Sequence, residues 1–337
     1  YRVVGVYMKN WTTDIGGVEC PWKNDLNDAR AVAAKLDIPF KVFDFQKEYR
    51  QKVVKVMVEE YRAGRTPNPD VLCNQEIKFK LFLQAALADG ADLIATGHYA
   101  RVINGQLYVG VDQDKDQSYF LYRVNSKALR NTLMPIGELT KKEVRKLAGK
   151  LVLPTATKPD SQGICFVGEV GIRPFLQEYI PQTVGPIVRS SDGAKVGEHD
   201  GAAFYTIGQR QGLGIGGGQP FFVIGKDMAT NTVFVTEDAE DLSLETDSFE
   251  LTDCHWISER PAGKKYQVRI RHRGALINCY IEPKSSNYVV KMTHVERAVS
   301  AGQSAVIYDG DLVAGGGLVT ITKEIASKHK SLVKAAK

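Results

Sequence analysis

The chain changes character once. Up to "TKPDSQGICFVG" (Thr157 to Gly168) short apolar runs alternate with amphipathic stretches, and beyond it short β-type segments are separated by glycine-bearing turns. Alternating strand and helix predicts an α/β fold with a doubly wound, mainly parallel sheet, whereas regularly spaced short strands predict a small barrel or sandwich. In the first part "YRVVGVYM" and "PFKVFDF" (Pro39 to Phe45) read as buried strands. "NDARAVAAKL" (Asn27 to Leu36) reads as a helix capped by Asp25 or Asn27. "IKFKLFLQAALADGAD" puts Ile77, Leu81, Phe82 and Ala85 on one helical face and stops at Gly90, and "DLIATGH" supplies another strand. In the later part "PFFVIG" and "TVFVT" precede "QVRIRH", "INCYIE", "NYVVKMT", "SAVIYDG" and "LVAGGGLVTIT". These breaks divide the chain into an α/β domain (1–168), a central domain (169–240), a C-terminal β-barrel or sandwich (241–323) and a basic tail (324–337).

At 337 residues there is room for two or three cores. No run approaches the roughly 18 apolar residues of a membrane span, and nothing at the start resembles a signal peptide. The balance of 44 Lys+Arg against 39 Asp+Glu gives +5, which permits a polyanionic partner without requiring one. Five cysteines (Cys20, Cys73, Cys165, Cys254, Cys279) are few, odd in number and free of Cys-x-x-Cys spacing. That pattern suits a reducing cytoplasm and makes any special cysteine special for its reactivity. His98 and His272 stand singly, without zinc-ligand spacing.

Ligands of parallel α/β sheets sit beyond the carboxyl ends of the strands. "TGHYAR" (Thr96 to Arg101) and Met8-Lys9-Asn10-Trp11 fall at such ends and are candidate nucleotide contacts. Cys73 in "TPNPDVLCNQEIKF" lies near a helix start. In the first turn the helix dipole would lower the thiol pKa, and Asp70 could cap the helix or carry a proton. A small buried cysteine explains the same residue equally well. Pro67 and Pro69 stiffen the approach. Cys165, between Ile164 and Phe166, looks by itself like a strand cysteine. Lys115-Asp116-Gln117 form a polar loop before an expected aromatic strand, suited to a phosphate or base edge or to ordinary solvation. "GLGIGGG" holds a formal G-x-G-x-x-G at Gly212, Gly214 and Gly217, but no helix follows it, so a flexible loop is expected.

Taken together, "GRTPNPDVLCNQEIKF", "ATGHYAR", "KDQSYFL", "DSQGICFVG", "YTIGQRQGLGIGG" and "GQSAVIYDGDLVAGGG" closely resemble the bacterial tRNA-specific 2-thiouridylase family (MnmA/TrmU), in order from Tyr1 to about Thr322. The resemblance implies a PP-loop pyrophosphatase-like domain, a central domain and a C-terminal barrel. It also implies an enzyme that replaces the C2 oxygen of the wobble uridine of tRNA with sulfur, using ATP with Mg2+. By motif, Cys165 resembles the cysteine that receives a persulfide from a sulfur-carrier protein. Cys73 resembles the partner that attacks it, leaving a Cys73 to Cys165 disulfide, and Asp70 matches the acid/base position. Asn68, Pro69 and Asp70 match the segment at the target base, and Met8 and Gly97 match ATP contacts. His98, Lys115, Asp116, Gln117, Arg271, His272 and Gln303 match tRNA contacts, with His272 standing where the family has tyrosine. The family's Ser-Gly-Gly-Val-Asp-Ser phosphate loop does not occur in residues 1–337. The expectation is therefore an N-terminally truncated copy that binds ATP poorly. A non-catalytic tRNA-binding remnant is the rival reading, and Cys73, Cys165 and Asp70 as ligands of an iron-sulfur cluster is a further one.

Overall fold

The computed structural model describes residues 1–159, 171–216, 219–261 and 263–320. The chain forms two compact units. The first comprises Tyr1–Val56, Pro69–Phe175 and Asp311–Val313; the second comprises Met57–Asn68, Leu176–Gly310 and the chain from Ala314.

In the first unit β1 (Gly5–Lys9) and α1 (Trp22–Lys35) lead to β2 (Phe40–Asp44). β1 and β2 pair in parallel, Gly5 opposite Phe40 and Lys9 opposite Asp44. A parallel pair needs a crossover between its strands, and α1 supplies it. Leu26 and Ala33 are its buried residues. A Cβ on Gly5 would stand 3.5 Å from Ala33 Cβ, so the strand lies close under the helix. The helix begins at Trp22 rather than Asn27, because Pro21 already holds φ at −72° before the first turn. Neither Asp25 nor Asn27 caps it, and Asp25 instead pairs with Lys158 at 2.7 Å.

α2 (Gln46–Tyr49), a π-helical stretch (Arg50–Val54) and α3 (Lys55–Arg62) continue as one helical run. After a short connection come α4 (Pro69–Leu72), a second π-helical segment (Cys73–Phe82) and α5 (Leu83–Ala88). Gly90 ends that run at φ +88°, its N–H donating to Leu87 O at 3.1 Å. The short strand β3 (Ile94–Ala95) is followed by a hairpin of β4 (Ala100–Ile103) and β5 (Gln106–Val109). The hairpin turns on Asn104-Gly105, both left-handed at φ +53° and +76°, as a two-residue type I′ turn requires. Ser118–Leu121, expected as an aromatic strand, is a 3-10 turn. Asp116 explains the difference, because its carboxylate accepts from Ser118 N and Oγ and so curls the chain. α6 (Ser126–Arg130) leads to β6 (Thr132–Leu133), which pairs with β3 in parallel, and then come α7 (Lys141–Lys150) and α8 (Ile172–Gln177).

The second unit is dominated by β-structure. β7 (Gly185–Arg189), β8 (Lys195–His199), β9 (Phe222–Asp227) and β10 (Thr232–Thr236) form a sheet in the order β8-β7-β10-β9, with β10 parallel to β7. β11 (Glu245–Trp256), β12 (Lys265–Arg269), β13 (Ile277–Lys284), β14 (Asn287–Arg297), β15 (Ser304–Asp309) and β16 (Leu312–Thr320) run in the order β11-β14-β13-β12-β15-β16. Pairing of β11 with β16 closes them into a six-stranded barrel, which leaves no open edge. Phe249, Val268, Ile281, Val290, Ile307 and Val319 fill its interior. The glycines of "LVAGGGLVT" serve the closure: a Cβ on Gly315 would stand 2.2 Å from His255 O. Cys279 belongs to this core, and burial pushes its thiol up to about 12, so it is structural as expected.

Candidate functional site

The helix carrying Cys73 starts at Pro69. Proline suits that first position, because its missing N–H would have had no partner there. Asp70 thus occupies the first turn, where a carboxylate meets the positive end of the helix. Cys73 is the fifth residue, past the turn whose N–H groups lack intrahelical partners. The expected activation of Cys73 by the helix terminus is therefore not available. The thiol is 1% exposed.

From Cys73 the helix widens to π geometry, a form found in short pieces and often at functional sites. With i→i+5 bonding, the residues nearest Cys73 along the axis are four and five positions on, Ile77 and Lys78. The widening also moves the buried face. Ile77, Phe79, Phe82, Leu83 and Ala86 are buried, whereas Leu81 and Ala85, expected inside from α periodicity, are only half-buried.

This segment gathers the other motifs of the first unit. Phe79 packs against the His98 ring at 5.5 Å between centroids. Asn74 Nδ2 donates to Phe120 O at 3.1 Å, and Arg123 Nε donates to Gln75 Oε1 at 2.7 Å. Phe82 meets Phe43 at 6.1 Å, and Phe43 lies opposite Met8 in the parallel pair. The "NPDVLCNQ", "ATGHYAR" and "KDQSYFL" motifs are thereby joined, although they are scattered in the chain.

Electrostatics ties them further. Burial pushes the Asp70 carboxyl above its ordinary range, and the Lys78 ammonium partly offsets this. Burial, with Lys78 adding to it, holds His98 well below 6.5, so its imidazole is neutral near pH 7. His98 Nδ1 lies 2.9 Å from Thr96 Oγ1. Lys78 is the cation shared by both groups. Sequence reasoning missed it, because in an α-helix a residue five positions on lies well round from Cys73. It also missed Asn74, which is 2% exposed and whose Oδ1 has no hydrogen-bond partner among the described residues.

The remaining candidates are placed as follows. Met8 is half-buried near the end of β1, and Gly97 is exposed just beyond β3. Asp116 is 3% exposed and accepts from Gly110 N as well as from Ser118, so its carboxylate is spent on shaping the loop. Gln117 Oε1 accepts from Tyr99 N at 3.0 Å, and Lys115 beside them is half-buried. Pro69 is buried at the helix start, and Asn68 ends the Met57–Asn68 segment of the second unit. Also in the second unit, Arg271 pairs with Glu296 at 3.4 Å, with half-buried His272 beside it. Gln303 Oε1 accepts from Ser300 N at 2.9 Å. Cys165 lies outside the described residues, as do Gly217 and the basic tail.

Three family models match in the order of these elements. They are described as a tRNA methyl transferase HUP domain over residues 1–169, a tRNA methyl transferase PRC-barrel domain over 173–237 and an aminomethyltransferase beta-barrel domain over 246–319. The chain is 49% identical over 332 residues to the tRNA-specific 2-thiouridylase MnmA of Nitrosomonas eutropha, covering 95% of this chain and 92% of that protein. The chain belongs to the tRNA-specific 2-thiouridylase family. It is also 46% identical to the protein of that name from Methylobacillus flagellatus, over 95% of this chain and 92% of the relative. For the one from Neisseria meningitidis serogroup B the figures are 47%, 96% and 89%. The α/β unit, the PRC-barrel-type region and the closed barrel of this family member thus follow one another along the chain. Among the described residues no helix is long and apolar enough to cross a membrane.

Proposed function

We propose that the chain replaces the C2 oxygen of the wobble uridine of tRNA with sulfur, at the expense of ATP. The observation that carries this reading is the convergence of Asp70, on the helical turn that leads into Cys73, with Lys78 of the π-helical segment and His98 of the loop facing it. Family membership supplies the reaction class.

A carbonyl oxygen is a poor leaving group, so the uridine O2 is first joined to the α-phosphorus of ATP, with release of pyrophosphate. Met8 and Gly97 would hold the nucleotide. The surface at Gly97 is open, the nearest heavy atom to a Cβ there being 3.9 Å away. The desolvated carboxyl of Asp70 moves the proton at the base, a task suited to a pKa lifted toward neutrality. Asn68 and Pro69 precede it there. Cys73 attacks the inner sulfur of a persulfide on Cys165, forming the Cys73 to Cys165 disulfide and releasing hydrosulfide. Hydrosulfide adds at C2, and AMP departs. A thiol reductant then restores the pair, and a sulfur-carrier protein reloads Cys165.

Single-turnover reaction of an unmodified tRNA with ATP, Mg2+ and a persulfide donor tests the reading. Thiouridine and AMP should form together. Cys73→Ser and Cys165→Ser should each abolish thiouridine while leaving tRNA affinity within about twofold, because neither thiol is asked to hold the RNA. Retained RNA binding without AMP or thiouridine in the wild type would replace the enzyme with an RNA-binding module. A methyl group in place of sulfur would overturn the reaction class.

A further inference from the structure

We propose that α7 is a docking rail for the phosphate backbone of the RNA, with Lys142, Lys146 and Lys150 as its contact points. The proposal rests on the reading of the substrate as tRNA and adds a surface to it.

None of the ten residues of α7, "KKEVRKLAGK", is buried. A helix on a globular unit ordinarily buries an apolar stripe; this one is secured at its start and along one side instead. Thr140 and Glu143 form a reciprocal capping box, and Lys141 N donates to Asp112 Oδ2 at 2.7 Å. Arg145 donates to the carbonyls of Ala156 (2.7 Å) and Lys158.

These anchors also use up the charges that could neutralise one another. Glu143 is the helix's single acid, and its carboxylate is engaged first by Thr140 N and Oγ1, with the Lys146 ammonium a smaller influence on it. Arg145 is committed to backbone carbonyls, and the Lys141 ammonium lies 5.6 Å from the Tyr99 ring centroid. Lys142, Lys146 and Lys150 remain exposed, and none forms an ion pair among the described residues. Some surface lysines elsewhere on the chain find carboxylates, as in Lys41–Asp89, Lys80–Glu76 and Lys195–Glu198. Exposed Lys35, Lys47 and Lys127 form no ion pair among the described residues and are not aligned in a row, so the distinction of α7 is its regular spacing. Spaced at i, i+4 and i+8, the three share one face and step about 6 Å along the axis, comparable with the separation of consecutive phosphates. A row of like charges, with Glu143 beside Lys146 as the one acid of the helix, matches a polyanion of regular spacing. Lysine suits it as a point charge that needs no defined base edge.

The rail springs from the loops already assigned to the site. Asp112, which holds the start of α7, also accepts from Asp114 N and Lys115 N. Tyr99, under Lys141, is the neighbour of His98. An RNA reaching those loops has α7 as its continuation within the same unit.

The test is tRNA affinity as a function of salt for the wild type, for the triple variant K142Q/K146Q/K150Q and for a control of equal charge change, K35Q/K47Q/K127Q. Glutamine keeps helix propensity close to that of lysine, and circular dichroism checks the fold. Each lost phosphate contact lowers the slope of log affinity against log salt by about 0.7–0.9. Between about 50 and 200 mM salt the wild type should therefore lose roughly 20- to 40-fold more affinity than the rail variant. Single-turnover thiolation at saturating tRNA should be unchanged, and the control should keep a near-wild-type slope. If the triple variant is unfolded, each single variant should still lower the slope by about 0.7–0.9. An unchanged slope, or an equal change in the control, overturns the rail. So does intact tRNA binding with slower sulfur delivery from a donor protein, which would make α7 a protein-docking face. A wild type that binds tRNA through α7 yet forms no thiouridine would sink the proposed reaction and leave the rail standing.

Discussion

Asp70 shows how function and stability oppose each other within one side chain. Its carboxyl is raised above 3.8 by burial, with Lys78 working against the shift. Between the unfolded and folded pKa values the native state binds more protons than the unfolded chain. Stability therefore falls as pH rises through that window, and above it the buried carboxylate carries its full penalty. Asp70→Asn removes the penalty. The variant should melt above the wild type at pH 7 in a calorimeter, and the difference should vanish as pH falls below 3.8. Thiolation should drop about 10²- to 10⁴-fold, the range for loss of a general acid or base. A lower melting temperature at pH 7 would mean that Asp70 is held by favourable bonds instead. The thiol and carboxylate of "NPDVLC" were visible in the sequence. Their surroundings were not, because they depend on the helix starting at Pro69, which puts Cys73 past its first turn, and on Lys78, whose nearness needs the widened turn.

At the scale of elements, local chemistry was legible where a glycine decides a backbone angle, but not at the start of α1, where neither Asp25 nor Asn27 makes the expected cap. Gly90 ends its helix as read, and Asn104-Gly105 makes a turn for the reason such pairs always do. Demands made by buried side chains were less visible. The 3-10 turn at Ser118–Leu121 replaces an expected strand because of a buried carboxylate two residues upstream, and the segment from Cys73 to Phe82 departs from the α period that selected Leu81 and Ala85. α7 offers the cleanest test at this scale, since it has no buried face to hide the effect of its cap. Thr140→Ala removes the side-chain acceptor for Glu143 N and should cost about 1 kcal/mol. Hydrogen exchange should report the loss as faster opening of α7, with the β1–β2 pair unaffected. An equal increase in both would show that α7 opens only with the whole unit.

Over the whole molecule, the change from α/β to β-structure was plain in the sequence, because turn residues recur at strand-length intervals. The C-terminal barrel was also expected, but the strands that close it, β11 on β16, and the parallel pairing of β7 with β10 were not legible, since they join segments far apart in the chain. One half-buried charge lies among these long-range joins. Lys226 on β9 donates its ammonium to Tyr205 O, within the "YTIGQRQG" stretch, and burial lowers its pKa from 10.5 to about 8. Below pH 8 both folded and unfolded chains hold this proton, and the desolvated ammonium weakens the fold. From pH 8 to 10.5 the native state binds fewer protons than the unfolded chain, so this site makes the protein more stable as pH rises. Lys226→Met removes the titration and leaves Tyr205 O without its donor at every pH. That second loss shifts the stability curve without tilting it. Urea denaturation should therefore show the wild type gaining on the variant across the window, by on the order of 3 kcal/mol in all. Parallel curves for the two proteins would show that the ammonium reaches water and carries no buried charge.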